Sequence, residues 1–290
     1  MNKEITSLIV GADGQIGGAI LERLATRGIP VLGTVLAGPA AAGHRVLDLG
    51  GDPQGWKLPE QVSTAYLCAA ITSLDACGRD PQGTARVNVS RTVAIGKMLV
   101  DRGAFVVFLS SNQVYDGLVP FRRQSDPPCP KNEYGRQKAE AERQLLALGN
   151  AVAVVRLTKV LGPGAALLAS WRRALAAREV VHPFSDMVMA PVSRPFTVAA
   201  LEKVAAARNP GLYQLSADRD VSYAAAAAHL AARWGVGPEL VQPIESRQAG
   251  IPPEVVQPHT TLDMARAQAD LGLSPPSVWD AIDLGAAEIG

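Results

Sequence analysis

A short apolar run at residues 5–10 leads directly into glycines at 11, 14 and 17, and then into a helical repeat of apolar positions over 19–25 that closes at Gly28. No other stretch limits the fold as strongly, because strand, glycine turn and helix in that order are the context a dinucleotide fingerprint requires. Gly11 permits a sharp exit from the strand. Gly14 lets a pyrophosphate approach the backbone, and Gly17 lets the helix lie close on the sheet. With Gln15 and Ile16 in the same turn, the helix start offers free N–H groups and a positive dipole end to phosphate oxygens. The spacing is G-x-x-G-x-x-G, so it matches the G-x-G-x-x-G pattern only in part.

Strands and helices alternate after the turn. Residues 30–36, 46–49, 64–70, 104–109 and 152–157 read as further strands, with one helix opening at Asn88 and another carrying Tyr134. That alternation predicts an α/β fold, a doubly wound parallel sheet of the Rossmann type, whose ligands sit beyond the carboxyl ends of its strands. Residues 1–160 are expected to form the NAD(P)-binding domain, with returns to the sheet near 190–217. Residues 161–189 and 218–290, Ala-rich helices broken by Pro-containing turns, are expected to form a smaller C-terminal lobe that binds substrate. An acid at the end of the second strand would hold the ribose 2′-hydroxyl of NAD. Here residues 37–43 carry no charge and lead to His44 and Arg45. The absent carboxylate gives a weak preference for NADP over NAD, with His44 or Arg45 beside the 2′-phosphate, or else a stray Arg on a surface loop.

Tyr134 and Lys138 stand four residues apart on a helix and so share one face. Ser111 ends the strand before them. A phenol, an ammonium and a hydroxyl form a proton-donating site for a carbonyl that receives hydride. Tyr134 is the expected general acid. Lys138 is expected to lower the phenol's pKa and to hold the nicotinamide ribose, and Ser111 to hydrogen-bond the oxyanion. The net charge of +1 in 290 residues provides no field to steer nucleic acid or a membrane surface. No apolar run reaches membrane-spanning length. Three cysteines and four histidines follow no metal-ligand spacing, so no metal is expected. The first strand starts at Ile5, leaving no room for a signal or transit peptide, and a cytoplasmic protein is expected.

Together these residues resemble the extended short-chain dehydrogenase/reductase family. Gly11, Gly14 and Gly17, the serine after the fifth strand, and Tyr134 with Lys138 stand in that family's order. The subgroup resembled is that of dTDP-4-dehydrorhamnose reductase, on residues 69–72, 75–81, 86–89, 114–117, 155–157, 261–263 and 271–272, with Gly162 and Pro163. The resemblance implies a nucleotide-sugar substrate, with Asp48 and Leu49 flanking the adenine and Ala69 and Ala70 lining the cofactor path. It also implies a homodimer paired through the helices after Asn88 and around Tyr134. Several positions depart from the subgroup. Ser111 is followed by Asn112 and Gln113 where a Thr followed by Asp-Tyr is usual. Residues 186–192 follow their Asp with apolar groups where polar ones are usual, and Ala165 and Ala166 replace an Asn. Related dehydratases place Asp-Glu after the hydroxyl, and the amides Asn112 and Gln113 cannot transfer protons that way. The expected activity is NAD(P)H-dependent reduction of a nucleotide-linked 4-keto sugar or similar polar ketone. A non-catalytic nucleotide-binding regulator, similar to the regulatory subunit of methionine adenosyltransferase, and an NAD-dependent nucleotide-sugar epimerase are the alternatives.

Overall fold

The structure, a computed structural model, describes residues 7–37, 44–52 and 55–287. Ile5 and Thr6 of the first expected strand, and the uncharged loop 38–43, lie outside them. Two compact units share the chain. Met1–Val114, Pro128–Arg156 and Thr197–Tyr213 form the first; Tyr115–Pro127, Leu157–Phe196 and Gln214–Gly290 form the second.

In chain order the elements that matter begin with β1 (Ser7–Val10), α1 (Gln15–Thr26), β2 (Val31–Val35), β3 (His44–Val46) and β4 (Thr64–Leu67). Then come α2 (Leu74–Arg79), α3 (Pro81–Ala85), α4 (Thr92–Val100), β5 (Phe105–Ser111), α5 (Glu133–Leu146) and β6 (Val152–Leu157). The remainder are β7 (Val160–Leu161), α6 (Ala166–Ala176), β8 (Val188–Met189), β9 (Val192–Ser193), α7 (Arg194–Ala207), β10 (Gly211–Leu215), β11 (Val221–Ser222), α8 (Tyr223–Arg233), α9 (Ala265–Leu271) and α10 (Val278–Ala286).

A seven-stranded sheet in the order β10-β6-β5-β4-β1-β2-β3 organises the first unit. Ser7 pairs with Val31 on one side and Thr64 on the other, and both ladders are parallel. The chain leaves β1 toward β2 and returns to β4 on the opposite flank, which is the reversal where sheets of this kind bind ligands. Strands buried on both faces read as continuous apolar runs; Phe105 to Phe108 and Val152 to Val155 are at most 1% exposed. Arg156 on β6 and Glu142 on α5 form a buried ion pair with a contact of 2.6 Å. The doubly wound sheet expected from the alternation is the sheet found.

Some element limits differ from the sequence reading. β3 covers His44–Val46 rather than 46–49, because the ladder to β2 ends where Val35 meets Val46. Leu47 and Leu49 then turn into the core. β4 stops at Leu67, since the N–H groups of Cys68 and Ala69 both reach the single carbonyl of Val10 and the strand peels away. The helix expected from Asn88 starts earlier. Asp80 caps it by accepting from Gly83 N, Pro81 takes the first position, and Arg86–Arg91 is a π-helical turn joining α3 to α4. Asn88 is therefore an interior residue, not a cap.

The second unit has its own core, in which Leu168, Trp171 and Leu175 of α6 meet Leu230 of α8 and Ile282 of α10. β7 pairs with β9 in parallel and β8 with β11 antiparallel. Among the described residues no helix is long and apolar enough to cross a membrane.

Candidate functional site

Val10 ends β1, and Gly11 turns the chain at φ +88°, a conformation glycine adopts freely. Its N–H donates to Thr34 Oγ1 at 3.2 Å. A Cβ at Gly11 would fall 2.7 Å from the Ala69 nitrogen, and one at Gly17 would fall 2.1 Å from the Gly11 carbonyl oxygen. Those two glycines are required by close approach of backbone to backbone. Gly14 differs: a Cβ there would make only an ordinary 3.4 Å contact with the protein itself. It occupies the cap position of α1 with no side chain to engage the first N–H groups. The turn therefore leaves a bare backbone edge at a helix start, suited to a diphosphate.

In front of it lies a cavity of about 690 Å³. Gly11, Gly14, Gln15, Ile16 and Gly17 line it from the turn, Asp48 and Leu49 from the segment after β3, and Ala69 and Ala70 from the segment after β4. The structure thus brings nine of the sequence-derived cofactor residues to one wall. The volume is of the size that takes a cofactor, and the small Ala69 and Ala70 leave room for a flat ring. Asp13, Thr34, Leu36 and Cys68 share the wall and were not singled out from the sequence. Tyr134 and Lys138 do not line this cavity. The connection runs through Cys68: the Lys138 charge stabilises its thiolate, although burial dominates and pushes the thiol up to about 12.

Asn132 caps α5 by accepting from Gly135 N at 2.8 Å, which sets Tyr134 and Lys138 one turn apart on the buried face. The Ser111 hydroxyl hydrogen-bonds the Tyr134 phenol. Ser111 Oγ also accepts from Gln113 N at 3.2 Å. Lys138 is 3% exposed; its Nζ donates to the Leu109 carbonyl at 2.8 Å and lies 4.5 Å from the Phe108 ring centroid and 5.9 Å from that of Tyr134. Burial pulls its amine down to about 8, against an opposing pull from Glu142.

The phenol behaves otherwise than the spacing implied. Burial pushes the Tyr134 phenol above its ordinary value, Cys77 adds to the rise, and the Ser111 bond opposes both. The expectation that Lys138 holds this phenol acidic is therefore corrected. Taking the phenolate out of water outweighs a neighbour whose ammonium is engaged by Leu109 and the Phe108 face. Tyr134 keeps its proton at neutral pH, which is the state a proton donor needs.

Two pairs of amides hold this arrangement in place, and neither pair was read from the sequence as doing so. Asn88 Oδ1 accepts from Ile71 N at 2.8 Å while its Nδ2 donates to Ile71 O at 2.9 Å. Nδ2 also donates to Gln137 Oε1 at 2.8 Å, and Gln137 Nε2 donates to Thr84 Oγ1 at 2.9 Å. Gln137 sits between Tyr134 and Lys138, and Ile71 belongs to the cavity wall. Gln113 acts at the first turn of the same helix. Its Oε1 accepts from Asn132 Nδ2 at 2.7 Å, and a Cβ at Gly135 would lie 2.0 Å from its carbonyl oxygen. The second amide residue after Ser111, Gln113, thus seats the start of α5.

The family model described as RmlD substrate binding domain matches residues 5–287. Over 297 residues the chain is 26% identical to the probable low-salt glycan biosynthesis reductase Agl14 of Haloferax volcanii, covering 97% of each. A stretch of 95 residues, 33% of this chain and 28% of the other, is 34% identical to methionine adenosyltransferase 2 subunit beta of Bos taurus. The crystal structure of dTDP-4-dehydrorhamnose reductase from Bacillus anthracis in complex with NADP shares the fold, with a TM-score of 0.82 and 19% identity over 97% of this chain and 98% of that one.

Proposed function

Given that the chain belongs to the RmlD substrate binding domain family, we propose that it is an NAD(P)H-dependent reductase of a nucleotide-linked keto sugar or similar polar ketone. The observation that carries this reading is the protonated phenol of Tyr134, hydrogen-bonded to Ser111 and one helical turn from a buried ammonium. A reductase named for glycan biosynthesis that matches this chain end to end supports the substrate class. The glycine turn and the start of α1 fit the diphosphate of a dinucleotide, and Ala69 and Ala70 fit the approach to its nicotinamide. Such a cofactor, when bound, supplies the hydride.

The chain's own residues do the rest. Tyr134 Oη gives its proton to the carbonyl oxygen as negative charge develops there. The Ser111 hydroxyl, already turned to that phenol, donates a hydrogen bond to the same oxygen. Lys138 supplies a fixed positive charge on the buried face that favours the phenolate left behind, and a proton taken up from water resets the phenol. Gln113 and Asn132 keep α5 seated so that these groups stay in register.

The test is a panel of nucleotide keto sugars with NADH and NADPH, followed at the nicotinamide absorbance. Wild type should consume cofactor on at least one sugar, and Tyr134→Phe should lower kcat by about 100-fold or more with dinucleotide binding intact. A rate within a few-fold of wild type would remove Tyr134 from the proton-donor role. The similarity to methionine adenosyltransferase 2 subunit beta favours a second reading, a regulator that binds the nucleotide without consuming it. Dinucleotide binding with no turnover on any sugar would select that reading.

A further inference from the structure

In a sheet of this order the end of β2 is where an acid ordinarily meets the ribose 2′-hydroxyl of NAD. This chain has no acid there: Leu36 follows β2, and residues 37–43 are only Ala, Gly and Pro. A carboxylate reaches the same place from elsewhere. Asp13, two residues past Gly11 in the glycine turn, accepts the Leu36 N–H on its Oδ2 at 3.2 Å. Asp13, Thr34 and Leu36 all line the cavity in front of the turn.

The charges around that cavity agree. Asp13 and Asp48 are its only charged residues among those described, and no Lys, Arg or His stands in its wall. Asp48 is already engaged, with Oδ1 accepting from Gly50 N at 2.7 Å. Arg45, expected beside a 2′-phosphate, lines an adjoining recess that shares Thr34, Leu47 and Asp48 with this cavity, and its guanidinium is turned to the Lys57 carbonyl, to which it donates at 3.3 Å. His44, the other candidate, is absent from the wall. Residues 38–43 lie outside the described structure, but they carry no charge by composition and bring no cation wherever they run.

We propose that Asp13 sets the dinucleotide preference of this chain, accepting the ribose 2′-hydroxyl of NAD(H) and repelling the 2′-phosphate of NADP(H). The inference rests on the dinucleotide reading above and reverses the preference for NADP drawn from an acid-free β2. The glycine turn supplies the acid that the strand end lacks.

Direct titration of the whole protein with NADH and with NADPH, read by nicotinamide fluorescence without substrate, tests it. Like charges held together are strongly unfavourable, so wild type should bind NADH about tenfold or more tighter than NADPH. Asp13→Asn keeps an oxygen for the Leu36 N–H and removes the charge. It should tighten NADPH by about tenfold while moving NADH only a few-fold. Asp13→Ser removes both the charge and the longer reach, and should also relax the discrimination; a change in Asp13→Ser alone would assign the effect to loop geometry and overturn the charge argument. Equal affinities in wild type, or an unchanged ratio in both variants, would overturn the proposal while leaving the cofactor site standing. A folded wild type that binds neither dinucleotide would instead remove the cofactor reading itself, and this inference with it.

Discussion

Lys138 and Tyr134 are both withdrawn from water, and burial moves their proton affinities in opposite directions. For Lys138 the amine falls from 10.5 to about 8. The folded protein therefore binds fewer protons than the unfolded chain between those values, and stability contributed by this residue rises with pH across that window. Below about 8 the full penalty of a buried ammonium is present. Replacing Lys138 with Met should accordingly stabilise the fold most near neutral pH, and by a shrinking margin as pH approaches 10; urea denaturation of both proteins at several pH values measures the difference. A constant margin would mean that Lys138 is not desolvated as described. Spacing alone put Tyr134 and Lys138 on one face, because residues four apart along a helix are neighbours, while Ser111 was marked out by its place at the end of β5. It could not reveal the direction of the phenol's shift, since burial is set by residues remote in the chain.

Between α3 and α4 the π-helical turn turns Asn88 inward, where its amide closes on both polar groups of the Ile71 peptide. Substituting Asn88 with Ala removes both partners, and each polar group left unmade costs about 1–3 kcal/mol. Urea denaturation should show a loss of about 2–6 kcal/mol for the variant, together with weaker dinucleotide binding, because Ile71 is part of the cavity wall. An unchanged midpoint would show that solvent replaces the amide there. The glycine turn could be read without coordinates because most of its requirement is local: Gly17 answers to the Gly11 carbonyl and Gly11 to its own φ of +88°, and only the Gly11 contact with Ala69 comes from far along the chain. The helix start was misplaced because an Asn ahead of an apolar repeat resembles a cap. The actual signal was Asp80 followed by Pro81, an N-cap and a proline in the first helical position.

Across the whole molecule, continuous apolar strands made the sheet legible, while the membership of residues 115–127 was not. That stretch lies between Ser111 and Tyr134, yet its partners are distant: Arg122 bridges to Leu262, and the Tyr115 carbonyl accepts from Gln257. No local pattern encodes such pairings. The sheet itself is completed late, by β10 beside β6. A fragment ending at residue 160 would lack Gly211–Leu215 and expose the β6 edge, the kind of unpaired edge that templates aggregation. It should elute from gel filtration as aggregate or stay insoluble, and a monodisperse, dinucleotide-binding fragment would contradict this.

The polypeptide passes between the two units five times, at 114/115, 127/128, 156/157, 196/197 and 213/214. Neither half can therefore be exchanged with a relative at one splice point. A chimaera would have to replace 115–127, 157–196 and 214–290 together, matching every junction at once. Divergence in the second unit is thereby channelled into substitutions at single positions rather than wholesale recombination, and an engineer seeking a new specificity faces the same restriction.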